Sequence, residues 1–289
     1  MRGLPWWLWA AAGLFGLVYL ALISARAYRR SVVDELVEHL REHHPEITIV
    51  NRGRGIWMTD RQISVRTRTG EAIARLDSLF AQLAGVRVSD KDRRREAIAT
   101  WARAVDQASA VPDPSKQREN LLPRLMPREQ VAADMIAGPL DGTDLHIAYV
   151  VDMPDCVQFV TSQTLQSLAV SDDELHALAL ANLRKRWSPE PVRAALDKRA
   201  LTVVATGDGF DAARLLLVPE SLQPGEQIAA VVPDKNALAL SPVPENGDWT
   251  KLISLARTIE ATPPRLSSLP IRVSNTGFHF VRSPRDSDA

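Results

Sequence analysis

Residues 4–23, LPWWLWAAAGLFGLVYLALI, form an apolar run with no charged residue. A helix rises about 1.5 Å per residue, so this run reaches roughly 30 Å, the thickness of a bilayer's hydrocarbon core. A helix that is apolar on every side has to be buried in a large protein core or in lipid. Nine of its residues are Leu, Ile, Val or Phe. At the usual insertion energies these favour the bilayer by about 3–5 kcal/mol, with no central charge opposing them. Trp6, Trp7 and Trp9 fall near one end, where indoles favour the headgroup boundary. Pro5 stands in the first turn, where its missing N–H costs nothing. The expectation is one transmembrane helix, Leu4 to Ile23.

A cleaved signal peptide is the alternative, because Ala25-Arg26-Ala27 has the form of a cleavage site. Against it, the run exceeds the usual apolar stretch of about 7–15 residues. Arg29 and Arg30 also follow at once, and positive charge there resists translocation. Arg26, Arg29, Arg30 and Arg41 lie after the run, and only Arg2 and the terminal amine precede it. The positive-inside rule then leaves the body in the cytosol, at a bacterial inner membrane.

The net charge of zero hides an asymmetry. Residues 1–128 carry 21 Lys and Arg against 14 Asp and Glu, and residues 129–289 carry 14 against 21, giving +7 and −7. Basic groups near an anionic leaflet gain about 1 kcal/mol each within a Debye length. The basic half is therefore expected to face anionic lipid. Nucleic acid is not an expected partner, because the arginines are dispersed and no base-reading module accompanies them. The single cysteine, Cys156, excludes an internal disulfide and a multi-cysteine metal site.

After the anchor and its basic flank (1–30), the pattern divides into an N-terminal α+β subdomain (31–110), a linker (111–120), a second α+β domain (121–282) and a loose tail (283–289). A helix is expected over 31–44, with Val33, Leu36, Val37 and Leu40 on its apolar face. Strands follow over 47–50, 56–59 and 63–67, turning at Asp60-Arg61, then helices over 71–84 and 90–108. Pro112, Pro114 and polar neighbours mark the linker within 109–120. Leu121 to Leu125 reads as extended. Hairpins are expected over 145–151 with 157–161, 228–232 with 237–240, and 271–273 with 278–281. A strand is expected over 201–205. Ser171-Asp172-Asp173-Glu174 has the form of a capping box opening a helix, and Asp248 caps another that Pro263-Pro264 stops. Strands in pairs between helices favour an α+β fold with mostly antiparallel sheets covered by helices.

The second half also carries a resemblance. Asp144 to Asp152 (DLHIAYVVD), Ala181 to Arg184 (ANLR), Asp208 to Leu216 (DGFDAARLL) and Val232 to Leu238 (VPDKNAL) occur in this order. Together they resemble the YtpQ-like family, a bacterial domain of unknown function, over roughly residues 120–282. The resemblance implies no activity, cofactor or catalytic residue. Many members of that family are soluble, so the apolar run is an addition here.

Candidate chemistry is sparse. His146, Asp152 and Cys156 lie close in sequence and allow a Cys-His-Asp nucleophile to be drawn, although a cysteine at a strand start is commonly a packed, inert residue. His39 and His43 share a helix face at metal-ligand spacing with no evident third ligand. Gly207-Asp208-Gly209 could open an anion seat at a helix start, but Asp208 and Asp211 oppose an anion. There Asp208 is expected to cap a short helix over 211–217 and Asp211 to pair with Arg214. Asn182, on the buried side of its helix, needs hydrogen-bond partners. No catalytic, cofactor-binding or metal residue is assigned. The functional expectation is a non-enzymatic binding or scaffold module at the membrane, with its protein partner undefined. A hydrolase acting on a membrane-proximal substrate is the alternative.

Overall fold

The computed structural model describes residues 6–51, 62–67, 70–87, 89–109, 114–154, 156–259, 266–267 and 269–281, and omits the side chains at 6–22 and at some other helix and strand positions. Leu4 and Pro5, the strand expected over 56–59, the Asp60-Arg61 turn, Pro112, the Pro263-Pro264 stop and the tail from Ser283 lie outside the described residues.

The backbone from Trp6 to His43 is a single helix, α1. β1 (Thr48–Asn51), β2 (Gln62–Thr67) and β3 (Gly70–Arg75) follow, then α2 (Asp77–Gln82), α3 (Lys91–Ser109) and α4 (Pro114–Glu119). Next come β4 (Leu121–Pro127), β5 (Ala137–Pro139), β6 (Leu145–Asp152) and β7 (Cys156–Phe159). Helices α5 (Ser162–Leu168), α6 (Asp172–Arg184) and α7 (Glu190–Asp197) lead to β8 (Thr202–Val204). The described chain closes with β9 (Gln227–Asp234), β10 (Ala237–Pro242), α8 (Thr250–Ile259), β11 (Ile271–Ser274) and β12 (Gly277–Phe280). The α+β class is as the sequence pattern implies, and every described ladder is antiparallel.

Among the described residues the strands form two sheets. One has the order β1-β2-β3-β7-β6-β4, with β5 also on β6, and the other has the order β12-β11-β9-β10-β8. Alternation along β3, β6 and β7 sends successive side chains to opposite faces of the first sheet. Ala72, Ala74, Val151 and Cys156 join Leu36, Leu40, Leu79, Trp101 and Leu175 on one face. Leu122, Val150, Val157 and Phe159 meet Phe210, Ala213 and Leu217 on the other. The second sheet packs Ile228, Ala230 and Val232 against Val192 and Leu215 on one side, and Ala229 and Val231 against Trp249 and Leu252 on its reverse.

Two expectations need correction. Residues 71–84 are not one helix. Gly70–Arg75 is a strand that pairs with β2 and β7, and a short helix follows it. Leu76, Leu79 and Leu83 are buried as the helical spacing implies, but small Ala72 and Ala74 are buried at strand spacing. The described end of the stretch read as a linker, from Pro114, is a packed element. Pro114–Glu119 is helical, Gln117 is buried, and the Arg118 guanidinium donates to Leu168 O. The β3–β7 ladder, Ile73 against Val157, makes one sheet of strands from both sides of that stretch.

Helix α1 docks through Val32, Val33, Leu36, Val37 and Leu40, which are buried in the first core. Tyr28 packs against the same core, whereas Ile23, Ser24 and Ala27 are exposed. Among the described residues no helix is long and apolar enough to cross a membrane, and the side chains at 6–22, on which the expected span rests, lie outside them.

Candidate functional site

The HxxxxxDxxxC spacing of His146, Asp152 and Cys156 does not become a constellation. Cys156 begins β7 with its thiol fully buried in the first core, and its carbonyl accepts from Met153 N at 2.9 Å. His146 lies opposite Met126 and Pro139, seven positions back along β6 from Met153, about 23 Å away at strand rise. Its Nδ1 is buried without a hydrogen bond. A thiolate and an imidazole that far apart cannot exchange a proton directly.

His39 and His43 do meet, but as stacked rings 4.3 Å apart between centroids, and His43 Nδ1 lies 3.2 Å from His39 O. Burial, then the neighbouring His43 and His44, lowers the His39 pKa, with Glu42 opposing. Both line a cleft of about 690 Å³ between α1 and α3, with Glu35, Glu38, Glu42 and Arg94. Among the described residues no set of three or more His, Cys, Asp or Glu is arranged to hold a metal ion.

The polar side chains that converge are arginines and aspartates. Arg214 is 3 % exposed and Asp211 0 %, and they meet at 2.9 Å. The same guanidinium grips Asp208 through both ends, at 2.9 and 2.8 Å. Asp211 also accepts from Thr206 N, Thr206 Oγ1 and Gly207 N, at 3.0, 2.8 and 3.1 Å. Burial works to raise the Asp208 pKa, but the bonds from Arg214 and from Phe210 N, with the Arg214 charge, outweigh it and hold the carboxyl below its ordinary value. The expected Asp211–Arg214 pair is therefore present. Asp208 accepts from Phe210 N without capping the helix, which is a 3-10 helix over Ala212–Leu217. An anion seat at Gly207-Asp208-Gly209 fails on the same bonds, because the carboxylates occupy the amides an anion would use.

Arg214 also donates to Arg186 O at 3.2 Å, and this links the cluster to a second one. Arg186 donates to Asp152 Oδ2 at 2.9 Å, and Arg75 holds Asp152 Oδ1. Arg75, Asp152 and Arg124 share one sheet face with Val150, Val157 and Phe159, by the registers Arg124 to Ala148, Asp152 to Val157 and Ile73 to Val157. Arg124 stands opposite small Ala148, and its guanidinium lies 6.0 Å from the Phe159 ring centre. Arg186 lies 5.7 Å from the Phe210 ring centre in the same core. Asp152, Asp208 and Arg214 are thus brought together through Arg186, and His146 and Cys156 are not.

Sequence reasoning missed Arg75, Arg124 and Arg186. For Arg124 a signal existed, since it occupies an inward-facing position of the otherwise apolar run Leu121 to Met126. Asn182 was legible, and its Nδ2 donates to Arg118 O at 2.7 Å and Leu121 O at 3.0 Å. Compared with family models, with curated proteins and with solved structures, the chain finds no match.

Proposed function

We propose that this chain is a non-enzymatic binding module of the YtpQ-like kind, tethered at the cytosolic face of a bacterial inner membrane through Leu4 to Ile23. The observation that carries this reading is the continuity of α1. One 38-residue helix, about 57 Å long, runs from the apolar segment into the core of the body. Its described side chains are exposed at Ile23, Ser24 and Ala27, and one face is buried at Val32, Val33, Leu36, Val37 and Leu40, as in a helix leaving a folded body. The hydrolase alternative loses its best nucleophile, since Cys156 is sealed in the core away from His146. The Asp208 to Arg214 run, the most specific part of the resemblance, supports the reading as a buried structural cluster whose charges pair with one another.

Alkaline carbonate extraction of membranes tests the tether. The full chain should stay in the pellet, and a chain lacking residues 1–27 should leave it. Release of the full chain, or an intact mass starting at Tyr28, would replace the anchor with the signal-peptide reading. The exposed Arg30 and Arg41 support an orientation with the basic half on anionic lipid. The truncated chain should then bind anionic vesicles at low salt and leave them at high salt, and binding indifferent to salt would count against it.

A further inference from the structure

Arg124 is 8 % exposed and lies on the face of the sheet that carries Leu122, Val150 and Phe159. Among the described residues its guanidinium makes no hydrogen bond and no ion pair, and its close partner is the Phe159 ring. Burial, then the Arg75 charge, pulls its pKa down to about 10, against Asp152. A largely buried cation with no anionic contact is costly and calls for an explanation. Among the described residues the carboxylate that acts on it, Asp152, already serves Arg75 and Arg186. Among the described residues Arg124 is therefore left without a carboxylate of its own. Arg186, which holds the other oxygen of Asp152, is 34 % exposed.

We propose that Arg124, with Arg75 and Arg186 beside it, is the seat of a phosphate-class dianion, either inorganic phosphate or the phosphate monoester of a lipid headgroup. Arginine's planar fork matches phosphate oxygens in pairs. A phosphate carries between one and two negative charges near pH 7, which answers the Arg124 cation beside two further guanidinium groups. The Phe159 and Phe210 rings behind Arg124 and Arg186 hold both planar groups in place and exclude water, which strengthens the pairing. The site stands whether or not the tether does.

The test is calorimetric titration of the full chain in phosphatidylcholine nanodiscs with inorganic phosphate at constant ionic strength. Wild type should bind phosphate and melt at a higher temperature in it than in equivalent chloride. R124Q should bind at least tenfold more weakly and lose the melting shift. R124K, which keeps the charge and loses the fork, should fall between them, and it decides the matter if R124Q does not fold. Discs doped with phosphatidic acid separate the sources. A phosphate response abolished there in wild type assigns the site to the headgroup, and an unchanged response assigns it to soluble phosphate. No phosphate response in wild type in undoped discs, or equal responses in wild type and both variants, overturns the proposal.

Discussion

Arg214 Nη1 and Asp211 Oδ1 meet at 2.9 Å inside the protein, three positions apart at the start of a 3-10 helix. With Asp208 they form a triad in which one cation neutralises two carboxylates. Removing the cation alone strands both anions. Arg214→Met should therefore destabilise the fold by about 3–5 kcal/mol, the usual cost of breaking a buried pair by one partner. Urea unfolding should show the lowered midpoint.

The Asn182 amide is the tie between α6 and the α4–β4 junction. Its Nδ2 donates at 2.7 Å to Arg118 O and at 3.0 Å to Leu121 O. Asn182→Ala leaves the buried Leu121 carbonyl without this donor. A loss of about 1–3 kcal/mol is expected, the desolvation cost of an unsatisfied buried group. Amide exchange should report the damage locally, with protection falling first across 114–121.

Asp208 makes the triad sensitive to acid. Its pKa is depressed below the ordinary 3.8 in the folded state, where Arg214 and the Phe210 amide overcome burial. The stabilisation is then fully present above about pH 4 and is lost as pH falls through the lower folded value. Asp208→Asn should flatten the melting-temperature profile over that acid window and lower stability at neutral pH.

Gly142 sits at φ +73° in the turn before β6, where an added Cβ would strike the Phe278 carbonyl carbon at 2.9 Å. This close approach holds β12 of the second sheet against a turn of the first. Gly142→Ala should cost more than about 1 kcal/mol, through the left-handed backbone and the clash together. Thermal unfolding should show it, and an unchanged melting temperature would mean that the two segments do not meet.

The parts of this fold legible in the sequence are those set by local chemistry. Ser171 and Glu174 form the reciprocal capping box that their spacing announces. The alternation over Leu145 to Val151 and Val157 to Phe159 becomes the β6–β7 hairpin. Residues 71–84 misled because Ile73, Leu76, Leu79 and Leu83 fit a helical stripe, while small Ala72 and Ala74 gave no strong strand signal. What seats β3 is its ladder with β7, more than eighty residues away, and no local pattern reports that. The packing of Pro114–Glu119 was illegible for the same reason, because Arg118 finds Leu168 and Asn182 only in the folded chain. For the site, the inward position of Arg124 was readable. Its meeting with Arg75, Asp152 and Arg186 depended on sheet register.

The proposed tether requires that Leu4 to Ile23 span a membrane and leave the body in the cytosol. Alkaline phosphatase fused after Ala289 in intact bacterial cells reads this directly, since that enzyme folds to its active form only outside the cytosol. The expected result is a membrane-bound, inactive fusion. An active fusion would place the body on the far side and contradict the tether as proposed.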